Sequence, residues 1–249
     1  MKKFIKILAI VMVVALSATL FYACGGKEEE SNVLVMGTNA AFPPYEYYEG
    51  DAIVGIDAEV GALIAEKLGM EFEIQDMDFN GIISAVQNGV VDIGMAGMTV
   101  TEDRLLQVDF STSYAKGVQV VIVKEGSAIV TLDDLAGKLI GVQEATTGDI
   151  YSTDEFGEEN VKRYTNGAAA VAALQSGIVD AVIIDNEPAK AFVEANEGLA
   201  ILETAYAEED YAIAVAKDNA ELLEKINQAL AELTADGSID AIVNKYIPA

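Results

Sequence analysis

Arg104 closes the segment Gly97-Met-Thr-Val-Thr-Glu-Asp-Arg104, which follows an apolar run and leads into a short helical turn. Its guanidinium is a planar fork that can grip a carboxylate through two charge-assisted hydrogen bonds, each contributing about 1.5–3 kcal/mol. Thr101 suits an N-cap, and Glu102 and Asp103 suit the first turn, so the backbone amides there point outward. Gly97, Met98 and Thr99 open the segment and count with Arg104 as candidate ligand contacts. The competing role for Arg104 is a surface pair with Asp103, Asp109 or a helix end. Glu144-Ala-Thr-Thr-Gly-Asp149 also lies between a strand pattern and a helix pattern, where the hydroxyls of Thr146 and Thr147 and exposed amides suit an anion, although Thr-Thr-Gly also occurs in ordinary turns. Asp185 ends the apolar run Ala181-Val-Ile-Ile184; a carboxylate at the mouth of a sheet suits an ammonium group, and it equally suits the N-cap of a helix starting near Pro188. Phe42 and Tyr45 flank Pro43 and Pro44, and Phe79 lies in Met77-Asp-Phe-Asn80; as loop aromatics they can wall a pocket or plug the core beneath it.

Composition excludes much other chemistry. Histidine is absent from the 249 residues, which removes the usual general base and metal ligand, and Cys24 is the only cysteine. No metal, cofactor or catalytic group is therefore expected. Beyond Cys24 there are 41 acidic residues against 12 basic ones, a formal charge near −29. A surface so negative repels phosphate backbones, so no nucleic acid partner is expected; it serves solubility and weakly favours cationic ligands.

The elements that must position these residues begin after an export segment. Lys2, Lys3 and Lys6 precede an apolar run from Ile7 to Ala23, the layout of a signal peptide over residues 1–23. That run, about 17 residues, is at the short limit for a membrane-spanning helix, the competing role. Cys24 follows it directly, and Gly25, Gly26 and polar residues follow Cys24. The segment resembles a bacterial lipobox, with Phe21 and Tyr22 bulkier than that pattern prefers. Cys24 is thus a candidate for lipidation, with residues 24–31 as a tether holding the chain to the outer face of a membrane or in a periplasm.

Short β-rich runs then alternate with helical patterns, the signature of α/β lobes with mainly parallel sheets. Strands are expected over 33–37, 71–76, 91–96, 118–123, 139–143, 161–164, 181–185 and 211–216. Helices are expected over 58–68, 82–87, 168–175, 188–196 and 220–235. Val86-Gln-Asn-Gly-Val-Val-Asp92 is echoed by Leu174-Gln-Ser-Gly-Ile-Val-Asp180, and Val35-Met-Gly-Thr38 more weakly by Leu139-Ile-Gly-Val142, so the chain reads as two similar lobes. In open α/β sheets ligands sit at the carboxyl ends of the strands. Those ends are Gly37–Pro44 and Ala96–Arg104 in one lobe, and Gln143–Asp149 and Asp185–Pro188 in the other.

Gly37-Thr-Asn-Ala-Ala-Phe-Pro-Pro-Tyr-Glu46, Gly55-Ile-Asp-Ala-Glu59, Met77-Asp-Phe-Asn-Gly-Ile-Ile83 and Ala96-Gly-Met-Thr-Val-Thr-Glu-Asp-Arg104 are similar to motifs of the polar amino acid-binding proteins of ABC transporters, solute-binding family 3. The likeness runs from about Val33 to Ile247. It implies a periplasmic-binding-protein-like type II α/β fold, with lobe one over 32–114 plus 212–249, lobe two over 115–211, and two hinge strands between. It also implies that Arg104 and the backbone around Thr99 and Thr147 hold an α-carboxylate. Gly97, Thr99 and Asp185 would hold an α-ammonium, Phe42 and Phe79 sandwich the ligand side chain, and Asn39, Gln143 and Ile184 tune specificity. Many members have an acidic residue where Asn39 stands. A monomer that closes on a free polar or basic amino acid and hands it to permease subunits is the expectation. Two other classes stay open: a dehydratase on the same fold acting on a cyclic carboxylic acid, for which Glu144 is the extra acid-base candidate, and an anchored sensory module.

Overall fold

The computed structural model describes residues 32–248. The expected signal peptide, Cys24 and the expected tether lie outside the described residues.

Two mixed sheets share one strand order. In the first, β1 (Val33–Thr38) lies between β5 (Glu71–Asp76) and β6 (Ile93–Gly94), all parallel. A strand from the far end of the chain, β14 (Ala214–Val215), runs antiparallel between β6 and β7 (Asp109–Phe110). In the second, β9 (Ile140–Gln143) lies between β10 (Val161–Tyr164) and β11 (Ala181–Asp185), again parallel, and β8 (Ala115–Lys124) runs antiparallel between β11 and β12 (Leu199–Ile201). β13 (Ala207–Tyr211) pairs with the start of β8. The chain thus passes from the first sheet to the second between Phe110 and Ala115, and returns between Tyr211 and Ala214. A small antiparallel sheet, β2 (Ala41–Phe42), β3 (Glu46–Glu49) and β4 (Ala52–Val54), inserts after β1.

The internal echo has a structural counterpart. Val35 N–H donates to Asp92 Oδ2 at 2.7 Å while Asp92 N–H donates to the Val35 carbonyl; Leu139 N–H donates to Asp180 Oδ2 at 2.9 Å while Asp180 N–H donates to the Leu139 carbonyl. One clamp ties β1, and the other the residue just ahead of β9, to the loop that follows a helix. Both helices end on a left-handed glycine, Gly89 (φ 66°) and Gly177 (φ 74°), where a side chain would strain the turn. The strand glycines Gly37 and Gly141 face Val91 and Val179, the same position of the echo.

Apolar faces lie on both sides of each sheet. Leu34, Met36 and Ile93 pack under helices Ile56–Leu68, Ala220–Ala235 and Ser238–Tyr246, and Val91 and Ala214 under helix Phe79–Gln87. In the second sheet Val120, Ile122 and Val182 meet helices Gly167–Gln175 and Asn186–Ala195, and Val121, Ile140 and Ile183 fill the opposite face. Val33 to Ala249 form one compact unit.

The expected strand 211–216 is two strands, with residues 207–211 in the second sheet and 214–215 in the first, because the chain crosses between sheets there. The expected strand 91–96 shortens to Ile93–Gly94. The sheets are mixed rather than mainly parallel, since each takes an antiparallel strand from a segment that crosses over.

Candidate functional site

A chamber lies at the carboxyl ends of β1, β9 and β11. Asn39, Phe42, Glu46, Phe79, Ala96, Gly97, Thr99 and Arg104 line one side, and Gln119, Gln143, Thr146, Thr147, Ile183, Ile184, Asp185 and Tyr211 the other.

Arg104 belongs to the short helix Glu102–Leu105, whose N-cap Thr101 accepts a hydrogen bond from Arg104 N–H at 3.2 Å. Its side chain turns inward and is 5% exposed, which removes the surface-pair alternative. Nη1 donates to the Thr99 carbonyl at 2.7 Å, Nη2 donates to the Ala145 carbonyl at 3.0 Å, and the guanidinium carbon lies 5.4 Å from the Phe79 ring centroid. Burial lowers its pKa, opposed by the nearby Glu209 charge. Opposite it, helix Thr147–Phe156 begins at the cavity wall. Thr146 caps it, accepting from Asp149 N–H at 3.4 Å, and the free amides of a first helical turn attract anions. Asp149 holds this corner: Oδ2 accepts from Ala145 N–H at 3.0 Å and from Arg163 Nε at 2.8 Å.

Asp185 takes the helix-capping role and also lines the chamber. Oδ1 accepts from Glu187 N–H at 3.0 Å and caps helix Asn186–Ala195, while Oδ2 accepts from Val118 N–H at 2.8 Å and from Tyr211 Oη–H at 2.9 Å. Burial is the main influence on its pKa and raises it from 3.8 to about 6, with those donors pulling the other way. Tyr211 reaches Asp185 across Gly117, where a Cβ would lie 2.3 Å from the tyrosine ring. Thr99 Oγ1–H and Gln119 Nε2 each donate to buried Glu209 Oε2 at 3.0 Å.

Phe42 stacks on Tyr45 at 5.6 Å and packs against the apolar clusters of both sheets. Gly97 suits its place twice over: its φ of 52° is left-handed, and a Cβ would lie 2.8 Å from Phe42. Its N–H donates to Asp57 Oδ2 at 2.9 Å. Asn39 and Gln143 meet directly, Gln143 Nε2 donating to Asn39 Oδ1 at 3.0 Å, while Asn39 Nδ2 donates to the Met77 carbonyl.

All the expected ligand positions line the chamber except Met98. Its side chain is fully buried among Ile82, Val86 and Val108, and its carbonyl accepts from Ala212 N–H. Alternation along the chain turns Met98 into the core while Gly97 and Thr99 face the cavity. Glu144 is exposed, accepting from Asn80 Nδ2 at 3.1 Å, and does not line the chamber. Glu46, Gln119, Ile183 and Tyr211 line it without having been singled out. Glu46 closes a motif already noted; Gln119 and Tyr211 carry no local signal, since only strand crossing brings them here. Among the described residues no cluster of three or more His, Cys, Asp or Glu could hold a metal.

Two sheets with one strand order and a chamber at their carboxyl ends lined by Arg104, Glu46 and Asp185 define a periplasmic-binding-protein-like type II fold. The chain belongs to the bacterial extracellular solute-binding proteins, family 3, whose model matches residues 34–249. It is 37% identical over 233 residues to the arginine-binding extracellular protein ArtP of Bacillus subtilis, covering 90% of this chain and 91% of that protein. It is 28% identical to the L-cystine-binding protein TcyJ of Escherichia coli, covering 98% and 94%. Among solved structures it superposes on an ancestral arginine-binding protein bound to glutamine with a TM-score of 0.83 and 42% identity, over 88% of this chain and 99% of that one. The arginine-, lysine-, histidine-binding protein ArtJ of Geobacillus stearothermophilus gives a TM-score of 0.83 at 34% identity, over 87% and 95%. This is an amino acid-binding solute-binding protein of the ABC transporter class, not an enzyme. No helix among the described residues is long and apolar enough to cross a membrane.

Proposed function

We propose that this chain is exported, held at the outer face of the membrane by a lipid on Cys24, and closes two lobes, 32–114 plus 212–249 and 115–211, on a free amino acid with a cationic side chain. It then delivers the ligand, as a monomer, to the permease subunits of an ABC importer. One observation carries the ligand assignment: a buried arginine and a buried aspartate share one chamber, matching the opposite charges of a zwitterion. Arg104 and the helix start at Thr146 and Thr147 take the carboxylate. Asp185, the Thr99 hydroxyl and the Gly97 carbonyl take the ammonium. Phe42 and Phe79 flank the side chain, and Asn39, Gln143 and Glu46 read its far end. Glu46 Oε2 is buried without a hydrogen-bond partner in the chamber wall, which favours a guanidinium or ammonium over an apolar end. The relatives named for arginine support the same choice.

Closure follows if the ligand touches both lobes at once, because it then binds the closed state preferentially. A thermal-shift screen of the intact protein against the twenty amino acids, after partial unfolding to strip carried-over ligand, tests the reading. Arginine is expected to give the largest shift; no shift with any amino acid would overturn it. Loss of radiolabelled lipid from a Cys24→Ser variant tests the anchor.

A further inference from the structure

Beside Phe42 stand two carboxyl groups whose partners do not add up. Glu46 is 1% exposed and lines the chamber; Asp57 is fully buried behind it. Asp57 Oδ2 accepts from Gly97 N–H and from Tyr114 Oη–H at 2.8 Å, but Asp57 Oδ1 and Glu46 Oε2 are buried with no donor. The chain brings them together on purpose of backbone: Gly55, with φ 124°, lets Ile56 N–H and Asp57 N–H donate to the carbonyls of Pro44 and Tyr45, and a Cβ there would lie 2.2 Å from the Tyr45 oxygen. These backbone bonds make neighbours of the two buried carboxyl groups, each with one oxygen left without a donor. Ionised carboxylates only accept, so neither group can supply the other's missing donor unless one of them carries a proton.

We propose that Glu46 and Asp57 share one proton in the ligand-free chain, and that a cationic ligand side chain reaching Glu46 expels it to solvent, so that binding is coupled to proton release. The inference rests on the cationic ligand proposed above. The exchange conserves charge: one positive charge enters the buried pocket as one leaves, and a cation beside Glu46 lowers the cost of ionising the pair. The titratable groups facing the pair are Tyr45 on the same segment, Asp76 at the end of β5, Tyr114 ahead of β8, and Asp185 at the end of β11, which Tyr211 in turn contacts. None of these is basic, and Arg104, the basic side chain lining the chamber, donates to the Thr99 and Ala145 carbonyls instead. In keeping with this, burial and the neighbouring Asp57 charge hold Glu46 well above the usual carboxylate range, and burial raises Asp57 to about 6.

The test is calorimetric titration of the intact protein with L-arginine at roughly pH 7.5, above the range in which Asp185 titrates, in two buffers of different protonation enthalpy. Release of about one proton per arginine is expected, with affinity rising by up to about tenfold per pH unit. Asp57→Asn keeps acceptors for Gly97 and Tyr114 and offers Glu46 a fixed N–H donor, so it should bind arginine with no proton released. Arginine binding without proton release in the unsubstituted protein would overturn this inference and leave the proposed ligand standing. Failure of arginine to bind would overturn both. Infrared spectra of the ligand-free protein give a ligand-independent readout: a protonated-carboxyl band that is lost in Asp57→Asn supports the shared proton, and its absence from the unsubstituted protein overturns it.

Discussion

The guanidinium of Arg104 donates to the carbonyl of Ala145 at 3.0 Å, joining the first sheet's wall of the chamber to the loop that follows β9. Ala145 holds φ at 62°, the left-handed region that non-glycine residues avoid, and its N–H is tied to Asp149. The same arginine fork therefore organises both the cavity and the corner facing it.

Replacing that fork should cost the ligand its carboxylate grip. Arg104→Lys is expected to lose about 2–4 kcal/mol of binding, a rise in Kd of roughly thirty- to a thousandfold. Arg104→Ala should bind no measurable amino acid while its far-UV circular dichroism stays native. Unchanged affinity in calorimetry would remove Arg104 from the site.

Ala145→Gly relieves the left-handed strain without touching the carbonyl. A gain of about 0.5–1 kcal/mol is expected, a rise in Tm of roughly 1–4 °C, with ligand affinity nearly unchanged. Urea denaturation and titration of the same sample check both halves.

Protonation of Asp185 should oppose binding. Because burial raises its pKa from 3.8 to about 6, its contribution to the stability of the ligand-free fold is greatest below about pH 4 and is lost as pH rises through about 6; Asp57 behaves likewise. A ligand ammonium needs the ionised form, so affinity should fall by up to about tenfold per unit as pH drops below about 6. The thermal shift produced by saturating arginine should accordingly shrink between about pH 7 and about pH 5. A ligand shift that grows on acidification would contradict the role given to Asp185.

The paired clamps of the internal repeat should differ in strength because their surroundings differ. Asp92 is partly buried and Asp180 is exposed. Asp92→Ala is expected to cost about 1–2 kcal/mol and Asp180→Ala about 0.5–1 kcal/mol, with the losses additive in the double variant because the clamps lie in different sheets. Chemical denaturation of the three variants checks this.

Local signals in the sequence were enough for much of the scaffold. The strands Glu71–Asp76, Val161–Tyr164 and Ala181–Asp185 and the helix Ala220–Ala235 are as periodicity alone delimits them, because propensity and apolar spacing agree there. The repeated Gly-Val-Val-Asp and Gly-Ile-Val-Asp segments announced two like halves, since helix-ending glycines and strand-opening apolar pairs leave a local trace. Arg104 and Asp185 were legible as charges at strand ends. Which of their alternative roles they take was decided by the tertiary structure: burial turned Arg104 inward, and two oxygens let Asp185 cap a helix and face the chamber together. Tertiary structure alone also split residues 211–216 between two sheets and brought Gln119, Tyr211 and Glu46 to one cavity, because pairing between strands as far apart as β8 and β13 is set by the packing of the whole chain and leaves no mark on neighbouring residues. The proposed export signal and lipidation at Cys24 rest on the sequence alone, on three lysines, an apolar run and a single thiol.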